Sequence, residues 1–175
     1  MSDTPRVLVL VRHAQAKNHS SGGDRPRELT KSGRRVARAV GARLAADGVR
    51  PELAVCSPAV RTVQTCDELT RGGLPIRDVW GDAGLYDADV EDVLDSIRAV
   101  PDDVRTLLVV GHAPGVPMTA GVVTDHCDLG EQALQQRLRA WPPAGVGVVV
   151  HDGPWSAFPD ATSALVLLQD PPDDV

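Results

Sequence analysis

Two stretches of this chain, Val7–Val11 and Leu107–Val110, are unbroken aliphatic runs, and a histidine follows each within two residues. A strand that is apolar at every position has both faces buried, which calls for helices above and below the sheet. Further strands are expected around these two, giving the set Arg6–Val11, Leu53–Cys56, Thr106–Val110, Gly145–His151 and Ser163–Leu168. Helical patterns lie between them. Thr30–Asp47 opens on a threonine and spaces Val36, Val40 and Leu44 along one face. A second helix runs from Pro58 to about Thr70, with proline near its first turn, and others are expected at Val90–Val100, at Glu131–Trp141 and after Pro117. Strand and helix alternate, so the expected fold is a three-layer α/β/α sandwich with a mostly parallel central sheet.

Length and composition fit that expectation. The chain has 175 residues, 42% of them hydrophobic, enough for one packed domain. We expect residues 1–170 to form that domain, with the Pro171-Pro172 segment, 171–175, as a solvated acidic end. Net charge is −6, which argues against nucleic-acid or membrane-surface partners. The five-residue run Val7–Val11 is too short for a secretory leader or a membrane span. Three cysteines, Cys56, Cys66 and Cys127, suggest neither a disulfide framework nor a zinc site, and a reducing cytoplasm is the expected setting. Only Lys17 and Lys31 are lysines, so arginine carries nearly all the positive charge. Arginine is the residue suited to bidentate recognition of phosphate.

In open α/β sheets, ligands sit beyond the carboxyl ends of the strands. There this chain places Arg12 and His13 after the first run, Ser57, Pro58 and Arg61 after the second, and Gly111 and His112 after the third. A neutral imidazole can attack phosphorus in line and carry the phosphoryl group, splitting one displacement into two. Positioned cations stabilise the equatorial oxygens. His13 is thus the expected nucleophile, Arg12 and Arg61 the phosphate clamps, and His112 a further clamp or proton donor. Nearby positive charge keeps His13 unprotonated. No cofactor is expected, and the histidines stand singly, without metal-ligand spacing.

The segment Val11-Arg12-His13-Ala14 resembles the Arg-His-Gly/Ala signature of the histidine phosphatase (phosphoglycerate mutase-like) superfamily. Ser57-Pro58-Ala59-Val60-Arg61-Thr62-Val63-Gln64-Thr65 is similar to its Ser-Pro-x-x-Arg-Thr-x-Gln-Thr block, and Gly111-His112 to its second-histidine motif. Leu29-Thr30-Lys31-Ser32-Gly33 and Pro143-Ala144-Gly145-Val146 match in the same order, so the likeness runs from about residue 6 to 168. Ala14, the small size and the lack of a long insertion look most like the SixA-type branch. The resemblance implies removal of phosphate from phosphohistidine on a protein.

Many family members place a glutamate as general acid downstream of the arginine block. Here Asp87 takes that slot, one methylene shorter, with Asp82 a second candidate; Asp87 could equally cap the helix that follows. A phosphoramidate with a protonated ring nitrogen leaves more readily than an alkoxide and needs less acid help. Ala113 stands where the family often has asparagine. His19, on a loop bordering the expected pocket, is a candidate substrate contact, and Arg27 a candidate for orienting that loop. His126 and His151 read as structural, Cys56 as core, and Trp80, Trp141, Trp155 and Phe158 as packing. The competing expectations are a broad small-molecule phosphomonoesterase and a catalytically silent phosphate-binding module. The substrate is accordingly a phosphorylated protein or a small phosphate ester, and the chain is expected to be a monomer.

Overall fold

The computed structural model describes residues 4–123 and 130–173. His126 and Cys127 lie outside the described residues. Six strands, β1 (Arg6–Arg12), β2 (Leu53–Cys56), β3 (Asp78–Gly81), β4 (Thr106–Gly111), β5 (Val146–His151) and β6 (Ala164–Gln169), form one sheet in the order β3-β2-β4-β1-β5-β6. The first four run parallel, and β5 pairs antiparallel with both β1 and β6.

Period-two alternation along the central strands separates two cores. Leu8 and Leu10 of β1, Leu53 and Val55 of β2, and Leu107 and Val109 of β4 face one side. There they meet α3 (Val90–Arg98), α4 (Gly115–Val122), Leu138 of α5 (Glu131–Arg139), Trp155 and Phe158. Val9, Val11, Ala54, Cys56, Leu108 and Val110 face the other, against α1 (Lys31–Ala46) and α2 (Val60–Arg71). This is the expected three-layer sandwich. Helices α1 and α2 pack so closely that a Cβ at Gly41 would fall 2.2 Å from the Leu69 carbonyl oxygen.

Several expectations need correction. Strand β3 has no apolar run to announce it: all four of its residues are exposed at the sheet edge. Trp80 sits there 49% exposed, so it is not a packing residue, whereas Trp141, Trp155 and Phe158 are buried. Helix α4 starts at Gly115 rather than after Pro117, because proline is tolerated in a first turn, where its missing N–H costs no helical bond. Helix α2 starts at Val60, two residues past Pro58. Asp89, not Asp87, caps α3, in a reciprocal box with Asp92. Asp170 is held at the sheet edge by Arg43 and Arg137. His151 is buried between Ser163 and the Pro154 carbonyl, a structural histidine.

Candidate active site

Strand register brings the site together. Arg12 of β1 is paired with Gly111 of β4, so the next residues, His13 and His112, leave the sheet side by side. The His13 N–H continues the ladder to the Gly111 carbonyl at 2.9 Å. Ser57 leaves β2 beside them, its N–H on the Val110 carbonyl. The turn before β5 closes the fourth side, with the Ala144 N–H donating to the carbonyls of Arg12 and His13.

The block from Ser57 to Thr65 is the scaffold of the site, and its polar side chains have identifiable partners. The Thr62 hydroxyl donates to the Ser57 carbonyl at 2.8 Å, tightening the turn into α2. The Ala14 N–H donates to the Thr65 hydroxyl at 3.0 Å, fixing the chain just after His13. Gln64 accepts from the Leu29 N–H, which ties down the far end of the 17–28 loop. Thr30 then caps α1 by accepting from Gly33.

His13 is buried, and its Nδ1 lies 2.8 Å from the Ala14 carbonyl oxygen. A carbonyl only accepts, so Nδ1 holds the proton and Nε2 keeps a free lone pair. Burial pushes the His13 pKa down to about 3, aided by charge from His112, Arg61 and Arg12 and opposed by the Ala14 bond. The expected effect of nearby charge is present, but desolvation is the larger cause. His112 is driven down to about 4, again by burial first and then by Arg61, with Asp24 opposing. Its Nε2 lies 2.8 Å from Ser57 Oγ, while Nδ1 is buried with no hydrogen-bond partner among the described residues. The two imidazoles sit 5.2 Å apart, centre to centre.

The arginines repeat one arrangement. Arg12 donates from one terminal nitrogen to the Trp141 carbonyl at 2.6 Å, and Arg61 donates to the Asp24 carbonyl and carboxylate at 3.0 and 2.9 Å. In both, the Nε–H is buried and unpaired. Arg12 Nε, Arg61 Nε and His112 Nδ1 are thus buried polar atoms without partners among the described residues, on side chains whose charge or ring acts on His13. Leaving buried donors unmet costs roughly 1–3 kcal/mol each, a cost that an oxyanion with several acceptor oxygens removes.

Not every expected site residue joins this group. Asp87 is exposed, at φ 56°, and makes no hydrogen bond among the described residues. Asp82 is committed to the Gly84 N–H and the Ser96 hydroxyl. His19 is exposed on its loop. Arg27 forms an ion pair within that loop, its Nε 3.3 Å from Asp24 Oδ1. Two residues escaped the sequence reading: Asp24, and Tyr86, whose ring meets His112 edge to face at 5.7 Å. Nothing in their local pattern marks them, since each reaches the site only through tertiary folding. Cys56 and Cys66 line a cavity of about 260 Å³ behind α2, and burial raises both thiol pKa values, that of Cys66 to about 11. They are core residues, not nucleophiles.

Comparison with known proteins agrees with this geometry. The sequence profile of the histidine phosphatase superfamily (branch 1) matches residues 8–93, which include Arg12, His13 and Arg61. An uncharacterized protein of Mycobacterium tuberculosis is 30% identical over 156 residues, 89% of this chain and 96% of that one. The structure of a candidate phosphohistidine phosphatase SixA from Nakamurella multipartitia is 32% identical, with a TM-score of 0.81, covering 98% of this chain and 99% of that one. A second candidate SixA, from Agrobacterium tumefaciens, is 27% identical with a TM-score of 0.77, over 97% and 100% of the two chains. By its motifs, its fold and these matches, the chain belongs to the histidine phosphatase superfamily (branch 1), on its SixA-type side: a hydrolase that works through a histidine.

Proposed function

We propose that this phosphatase hydrolyses phosphohistidine on a protein, carrying the phosphoryl group on His13 and using no metal. The observation that carries this reading is the contact of His13 Nδ1 with the Ala14 carbonyl at 2.8 Å, which assigns the proton to Nδ1 and the lone pair to Nε2 of a ring that burial keeps neutral. In the first step Nε2 attacks phosphorus, the new N–P bond forms, and the P–N bond to the substrate imidazole breaks. The imidazole departs with the proton it already carries. In the second step water attacks the phosphoryl group, its proton passes to the phosphate oxygens or solvent, and His13 regains its lone pair. Arg12 and Arg61 meet the developing charge through their inner N–H groups. The Ser57 hydroxyl donates to His112 Nε2, leaving an Nδ1–H to act as a neutral donor to phosphate.

The substrate class rests on the leaving group and on the mouth of the site. The carboxylate that borders the site, Asp24, is held in its ionised form by the Tyr86 hydroxyl and Arg61, which makes it a poor acid for an alkoxide, whereas a protonated imidazole leaves without one. Asp24 and Arg25, which border the site, are exposed, which suits approach by a macromolecule. The similarity to proteins described as SixA supports the same reading. Among the described residues no group of three or more candidate metal ligands occurs. In the presence of EDTA, we expect fast His13-dependent phosphate release from a phosphohistidine protein and slow turnover of unactivated phosphate monoesters. Equal or faster monoester turnover would make the enzyme a small-molecule phosphomonoesterase. Phosphate binding without release from either substrate would leave a binding module.

A further inference from the structure

We propose that Asp24, on the 17–28 loop, is the positioning residue of the phosphate clamp, holding the outer edge of Arg61 so that its Nε edge is aimed at the phosphate. Both terminal nitrogens of Arg61 are taken by this one residue, one by its carbonyl and the other by carboxylate Oδ2. The same Oδ2 accepts from the Tyr86 hydroxyl at 2.6 Å. Asp24 therefore joins three separate pieces of chain: its own loop, α2 through Arg61, and the wall of the pocket through the tyrosine that packs on His112. Its other oxygen lies near Arg27, and Arg25 covers the Tyr86 ring with its guanidinium 4.4 Å from the ring centre. The Val60 N–H donates to the Arg25 carbonyl, so the loop is pinned to the start of α2, one residue before Arg61.

A guanidinium recognises phosphate through two parallel N–H bonds only when its plane is fixed. Without the Asp24 carboxylate the outer edge of Arg61 keeps only its bond to the residue-24 carbonyl, and the guanidinium plane regains rotational freedom. The carboxylate reduces the net positive charge at the clamp, which by itself weakens anion binding; the proposal is that the geometric gain outweighs that loss. The Arg61 Nε–H, buried and without a hydrogen-bond partner among the described residues, is the donor this proposal leaves to the ligand.

This inference rests on the clamp role proposed for Arg61, and the test reads it without any assumption about substrate. Binding of inorganic phosphate and of tungstate is measured by calorimetry for Asp24→Ala, Asp24→Asn, Arg61→Ala and the Asp24→Ala/Arg61→Ala pair. Asp24→Ala is expected to bind about tenfold more weakly. Asp24→Asn, whose single carbonyl oxygen can still accept from both Arg61 and Tyr86, should stay within about threefold of the parent. On the Arg61→Ala background, Asp24→Ala should add nothing, a coupling that a merely structural role would not produce. Tighter binding in Asp24→Ala, an Asn variant as weak as the Ala variant, or a full additive loss in the pair would each overturn the proposal. A protein that binds phosphate in this pattern but releases none from phosphohistidine would sink the substrate reading and leave Asp24 in its role.

Discussion

The rings of His13 and His112 lie 5.2 Å apart, centre to centre, because Arg12 and Gly111, the residues just before them, face each other across the parallel pairing of β1 and β4. Two buried imidazoles this close cannot both become imidazolium without strong repulsion, and burial already disfavours the charged form of each. In the proposed mechanism, their shared neutrality keeps one available as a nucleophile and the other as a neutral donor.

That neutrality has a cost in acid. Both folded-state pKa values, about 3 and about 4, lie below the ordinary 6.5, so between about pH 6.5 and 4 the unfolded chain binds protons that the folded chain refuses. Stability therefore falls as pH drops through this window, by at most about 1.4 kcal/mol per pH unit for each histidine. Urea unfolding at pH 7, 6 and 5 should show this slope, and His13→Asn/His112→Asn should flatten it. An equal slope in the parent and the double variant would rule the histidines out as its source.

Ser57 should matter through His112 alone. Ser57→Ala removes the partner of Nε2 and with it the fixed direction of Nδ1. A loss of about tenfold in kcat/KM is expected, the equivalent of one hydrogen bond of about 1.4 kcal/mol. The same substitution on a His112→Ala background should cost almost nothing, and steady-state kinetics on the two pairs of variants decides it.

Asp87 should be dispensable for the proposed substrate. It is exposed and hydrogen-bonded to nothing among the described residues. Asp87→Ala is expected to leave phosphohistidine turnover within about twofold. A drop of a hundredfold would restore it as the general acid.

Gly41 tests the packing beneath the site. An alanine there would push its Cβ into the backbone of α2, the helix that carries Arg61. Overpacking of this kind costs about 1–3 kcal/mol, against roughly 1 kcal/mol that alanine gains in a helix. A net fall in stability, measured by urea unfolding, is expected, with the kcat of the folded fraction unchanged.

The central strands and the ends they present were legible in the sequence because full burial on both faces leaves an uninterrupted apolar record, as at Leu8–Val11 and Leu107–Val110. His13, His112, Arg12 and Arg61 follow directly from those ends or from the first turn of α2. The edge strand β3 left no such record, since a strand exposed at every position needs no apolar pattern. Asp24 and Tyr86 were invisible for a different reason. They lie 37 and 25 positions from Arg61 in the chain, and an aspartate beside glycines on a loop reads as an ordinary turn residue until folding brings it to the arginine.

The most direct test of the account is to follow the phosphoryl group itself. The protein, in EDTA, is mixed rapidly with a phosphohistidine-bearing protein, quenched in alkali and analysed by mass spectrometry. The account predicts a transient increment of one phosphoryl group, acid-labile, on the peptide that contains His13, and its absence in His13→Ala. Phosphate release at the full rate with no phosphorylated enzyme at any time, or with the group on another residue, would contradict it.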